Sequence, residues 1–240
     1  MGTQAIDDAV KKGVNIISMS WTVEPPKEGS TLRKKFDNAL AAAEGRHILM
    51  FCSSSDAGNY NEEHYPTTYN DKIFFKIGAA KADGNPYEWV GPAAKLDYLF
   101  PGVEVVQRHS KQKAIINIDD WQVHTGSSIS TALAAGLAAL VISMAQIGVR
   151  YWDERGGPKD DLALKRADVE ALQVRDNMKN AFNRCDALNQ GGYTFLQIWK
   201  QLDDVTARLK QYHGDSNVKE RKMIVADFAR NLIKRTGGVP

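Results

Sequence analysis

The chain is poor in cysteine, nearly balanced in charge and without a leader-like start. Two cysteines in 240 residues, Cys52 and Cys185, make no disulfide framework. Cys52 stands inside an apolar run and reads as a small core residue. A formal net charge of +2 gives no electrostatic case for nucleic acid or an anionic membrane as partner. Met1 to Asp8 holds acidic residues and no apolar segment, so no signal peptide is visible and a cytoplasmic location is favoured. No internal repeat or low-complexity tract occurs. The longest apolar run, Ala132 to Ile147, is alanine-rich and shorter than the roughly 20 residues a membrane span needs.

What is present is an ordinary globular balance, 43% hydrophobic and 25% charged, long enough for one sizeable core or one domain with an appendage. Gly2 to Lys12 puts Ala5, Ile6, Ala9 and Val10 on one helical face, and Gly13 closes it. Val14 to Trp21 then reads as a β-branched strand. Thr31 to Glu44 is a second helix, striped by Leu32, Phe36, Leu40 and Ala43. His47 to Cys52 and Ile73 to Ala80 are further buried strands, and Ala114 to Ile118 and Trp121 to His124 shorter ones. Helix, glycine, apolar strand in repetition is the grammar of a mainly parallel, doubly wound α/β sheet. Ser53-Ser54-Ser55-Asp56-Ala57-Gly58-Asn59 is a small polar loop at a strand's C-terminal end, where open α/β sheets place ligands.

The chain is organised around His124-Thr125-Gly126-Ser127-Ser128-Ile129-Ser130, which opens directly into the apolar helix. Gly126 lets the backbone bend, and Ser127 or Ser128 then stands in the first helical turn. Unpaired N–H groups and the positive dipole end favour a developing negative charge there. A serine so placed either caps a buried helix or attacks a carbonyl beside an oxyanion site.

Gly126-Ser127-Ser128-Ile129-Ser130 with Ala135-Gly136 resembles the nucleophile motif of the subtilisin-like serine proteases (subtilases, peptidase S8), with Ser128 in the nucleophile register. Ala5-Ile6 through Met19-Ser20, Ser53 to Gly58, Tyr65-Pro66 through Ala79-Ala80 and Pro101-Gly102-Val103 resemble further segments of that family, in the same order. The resemblance implies an extended peptide or protein substrate running along Ser20 and Trp21 on one side and Ser53, Ser54 and Ser55 on the other. Asp56 falls where the family has its oxyanion asparagine. An ionised carboxylate only accepts hydrogen bonds, whereas a protonated one could donate. One branch of the family, a prohormone convertase, carries aspartate there; a turn residue making an Asx bond is the other reading of Asp56. Calcium is common in the family, but no carboxylate loop of that kind is seen, so no metal or cofactor is expected.

A serine nucleophile needs a base and an orienting carboxylate. In subtilases both precede the serine, and none of His47, His64, His109, His124 and His213 stands in the family's histidine motif. His124, four residues before Ser128, lies on the approach to the turn and is not favoured as base. Asp119 and Asp120 read as turn residues. The expectation is therefore the C-terminal part of a subtilase catalytic domain over residues 1–148, a fragment without its Asp and His and inactive alone. A non-catalytic pseudoprotease or peptide-binding module is the alternative. Residues 149–240 read as a helical extension, with helices over Ala167 to Asn183, Tyr193 to Gln211 and Asn217 to Lys234. The basic end, Lys219 to Arg235, reads as a solvated helix face.

Overall fold

The computed structural model describes residues 2–58, 64–108, 121–157, 163–212, 214 and 217–234. Helix α1 (Gly2–Lys12) passes through Gly13, at φ 65°, into strand β1 (Ile16–Met19). Helix α2 (Thr31–Gly45) is capped by Ser30, whose hydroxyl accepts from the Arg33 N–H at 3.2 Å. Strands β2 (Leu49–Ser53), β3 (Phe74–Ala80) and β4 (Tyr98–Pro101) join β1 in a parallel array in sequence order. Both faces of these strands are covered, which is why they read as continuous apolar runs. Strands β5 (Val105–Arg108) and β6 (Trp121–His124) form a separate antiparallel ribbon. The strand expected over Ala114 to Ile118 lies outside the described residues, as do Asp119, Asp120, His109 and His213.

Helix α3 (Ser127–Asp153) crosses the face of the sheet opposite α1 and α2. Beyond it, two short helices, α4 (Arg166–Ala171) and α5 (Arg175–Phe182), replace the single helix expected there. The expected helix over Tyr193 to Gln211 is instead part of a hairpin, β7 (Ala187–Gln190) and β8 (Tyr193–Leu196), followed by α6 (Trp199–Lys210). Phe195, Ile198, Trp199 and Leu202 happen to fall at helical spacing, but β8 finds the open edge of β4 and buries Phe195 there. Gly191 and Gly192, at φ 58° and 83°, make the two-residue turn. The sheet order is β1-β2-β3-β4-β8-β7, so residues after 148 add two strands to it. Helix α7 (Val218–Ile233) lies on α3.

By length and composition α3 could cross a membrane, but 56% of its most apolar window is buried against the sheet and α7. Its outer stripe still exposes Leu133 (43%) and Leu140 (39%) beside Ala132, Gly136 and Ala139. Beneath it Phe51 and Phe75 stack at 4.7 Å, with Phe182 of α5 tilted against both.

Helix α5 is fastened to the sheet by Asp97, whose side chain is 7% exposed. Its Oδ1 accepts from Arg175 at 2.8 Å and Lys179 at 2.6 Å, and Oδ2 from the Lys76 N–H at 3.0 Å. Burial opposes ionisation of Asp97, but the bonds from Lys179 and the Lys76 amide and the Arg175 charge outweigh it. The carboxyl is held below its ordinary range.

Candidate active site

Gly126 bends the chain at φ 143°, and its N–H donates to the Gly102 carbonyl at 2.7 Å. Ser127, the first residue of α3, is fully buried. Its hydroxyl accepts from the Ala79 N–H at 3.0 Å and donates to Asp56 Oδ1 at 2.6 Å. Its own N–H donates to Asp56 Oδ2 at 2.8 Å. Gly126 brings no capping side chain, so Asp56 caps α3 from a distant loop. Ser130 donates to the Phe100 carbonyl at 3.0 Å and Thr131 to the Ser127 carbonyl at 2.7 Å. The turn is thus bolted to the C-terminal ends of β3 and β4.

Ser128 follows in the same turn and is half-buried. The Ser127 N–H goes to Asp56 and the Ile129 N–H to the Gly126 carbonyl, while no described acceptor takes the Ser128 N–H. The hydroxyl and an unspent amide therefore stand together at the positive end of a 27-residue helix. A Cβ on Gly126 would lie 3.3 Å from Asp56 Oδ2 and 3.5 Å from Ser128 Oγ, so carboxylate and hydroxyl flank one small space.

The other anticipated residues divide into two groups. Ser20, beyond the end of β1, donates to the Ser128 carbonyl at 3.2 Å and so borders the turn. Trp21 instead turns toward α2 and meets Phe36 edge-on at 5.9 Å. Ser53, Ser54 and Ser55 line a cavity of about 550 Å³ beyond the end of β2. Ser54 Oγ there accepts from the Gly91 N–H at 3.3 Å and donates to the Ser55 carbonyl at 3.1 Å. His64 also lines this cavity. Among the described residues no histidine bonds the Ser128 hydroxyl. His124 pairs with Val105 in the β5–β6 ribbon, its Nε2 buried without a partner, and His47 lies at the opposite end of β2.

Residues 1–190 match the Subtilase family, Peptidase_S8. The chain belongs to the subtilases. Among solved structures it is similar to the prenylagaramide maturation protease PagA, at 18% identity and a TM-score of 0.55 over 84% of this chain and 66% of that one. It is likewise similar to a lanthipeptide protease, at 20% identity and TM-score 0.55 over 84% and 65% of the two chains. The patellamide maturation protease PatA gives 15% and 0.54 over 85% and 68%. At these identities the likeness is one of fold. This chain spans about two thirds of the length of those structures. No curated protein sequence matches it.

Two features of this subtilase chain escape sequence reasoning. The buried Ser127, not Ser128, is the partner of Asp56, a pairing between residues 71 apart that no local pattern encodes. Lys76 lines the cavity from the middle of β3. Its signal was a lone charge inside the apolar run Ile73 to Ala80.

Proposed function

We propose that this chain is the serine-bearing part of a serine endopeptidase, with Ser128 as nucleophile. The observation that carries the reading is a half-buried hydroxyl sharing the first turn of α3 with its own unspent N–H. Ser128 Oγ attacks the carbonyl carbon of an extended peptide. The bond from oxygen to carbon forms as the hydroxyl proton passes to a base. The Ser128 N–H faces the negative charge that develops on the carbonyl oxygen. Asp56 is the second member of this oxyanion site if it carries a proton, since only then can it donate. Ser20 and the Ser53–Ser55 wall border the peptide, and Trp21 supports the rim from behind.

The reading requires a base and an orienting carboxylate on a further segment packed beside the turn. The apolar outer stripe of α3 around Leu133 and Leu140, and the outer edge of β1, are surfaces on which such a segment would lie. Fluorophosphonate labelling tests the assignment. A form extended upstream through a histidine and an aspartate is expected to label at Ser128 and to cleave peptides. Ser128→Ala removes both, and an extended form with no adduct at Ser128 refutes the reading. The 240-residue chain alone is expected to turn over no peptide.

The acceptor role of Asp56 toward Ser127 favours a second reading, a non-catalytic peptide-binding module. Peptide binding unchanged by Ser128→Ala, with no Asp/His pair encoded upstream, would favour it.

A further inference from the structure

The cavity behind the serine wall is lined by a lysine that rises from the sheet itself. Lys76 sits in the middle of a central strand, with β2 on one side and β4 on the other. Its side chain is only 19% exposed. Across the sheet it faces Cys52, whose thiol burial holds protonated, so that neighbour supplies no counter-charge. Its carboxylate partner among the described residues is Asp71, at 3.9 Å and itself 70% exposed, a loose pairing in high dielectric. Arg33 and Lys95 also line the cavity, against the single described carboxylate of Asp71. Arg33 comes from α2, where Asp37 engages it at 3.3 Å, and Lys95 from a short turn after Pro92, so of the three cations Lys76 is the one that rises from the sheet and floors the cavity.

A partly covered ammonium that lines a cavity, with one loose carboxylate neighbour, favours an anionic occupant there. The wall of this cavity, Ser53 to Ser55, continues directly into Asp56, which bonds the serine turn. A peptide whose carbonyl stood at Ser128 would have that residue's side chain beside the wall.

We propose that the cavity floored by Lys76 receives an acidic side chain, glutamate or aspartate, from the peptide residue on the N-terminal side of the scissile bond. The proposal rests on the reading of Ser128 and the serine wall as a peptide site. The Lys76 ammonium donates to the carboxylate, and the Ser53–Ser55 wall offers hydroxyl and backbone groups to its other oxygen. The volume of about 550 Å³ admits the longer glutamate.

Binding to the 240-residue chain tests this without turnover. Acetylated tetrapeptide amides Ala-Ala-Pro-X, with X as Glu, Gln, Phe or Lys, are titrated by calorimetry. The Glu peptide is expected to bind about tenfold or more tighter than the Gln peptide, as a charge-assisted bond requires. Lys76→Met should abolish that gap while leaving the Gln peptide unchanged. Raising NaCl from about 0.05 M to about 0.5 M should narrow the gap in the unaltered chain, a readout that stands even if the variant fails to fold. Phe or Lys binding as tightly as Glu overturns the proposal. So does a Glu preference insensitive to salt, or one that survives Lys76→Met in a folded variant. If no peptide of the set binds, the peptide-site reading falls and takes this proposal with it; binding without preference for Glu overturns this proposal alone.

Discussion

At the scale of one residue, Asp56 is the side chain that ties the serine turn to a distant loop. The sequence leaves it as a turn residue or an oxyanion donor. Its carboxylate closes on Ser127, accepting from both the N–H and the hydroxyl. Removing it orphans a buried hydroxyl's donor and uncaps α3. Asp56→Ala should therefore lower stability by roughly 0.5–2 kcal/mol in urea titration. Asp56→Asn keeps one acceptor oxygen and should lose less. The two variants separate further in an active extended form. There Asp56→Asn, which can donate, should hold or raise kcat/KM, while Asp56→Ala should lower it by roughly 10²–10³ if residue 56 serves the oxyanion. Ser128 and Asp56 were legible as neighbours only because both fall in motifs of a recognisable family. Neither periodicity nor composition joins loops so far apart in the chain.

Among the elements, α1, α2, α3 and the parallel strands β1, β2 and β3 follow from apolar spacing and from glycines at their ends, while β4 was visible only as a segment before Gly102. Their signals are local, and each element buries most of the face its sequence displays, with Ala5 of α1 and Leu32 of α2 left exposed. The tail was less readable. No glycine or proline marks the break between α4 and α5, and the short hairpin hides behind an accidental helical spacing, although Gly191-Gly192 was a turn signal. What holds α5 in place is also long-range, since Asp97 gathers Arg175, Lys179 and the Lys76 amide. Because the folded state holds this carboxyl below its ordinary range, its contribution is complete above the unfolded value of about 4. It is lost as pH falls through the lower, folded-state value. The urea midpoint should thus drop more between about pH 5 and about pH 3 than it does in Asp97→Asn. At neutral pH Asp97→Asn itself should cost roughly 3–5 kcal/mol, since it leaves two cations without their shared partner.

For the molecule as a whole, the six-stranded sheet is completed only by strands that follow the serine helix. Helix α3 is sandwiched, with the sheet on one side and α7 on another. A chain ending at Trp152 would uncover the edge of β4 and the α7-facing side of α3 together. It should be insoluble on expression where the 240-residue chain is soluble, as a sedimentation assay of lysates would read. The bond from Asp56 to Ser127 has a further consequence in time. Synthesis runs from the amino end, so the acceptor leaves the ribosome 71 residues before its donor. The bond between Asp56 and Ser127 therefore cannot close in a half-made polypeptide, and the turn that carries Ser128 is set only once its own sheet has assembled.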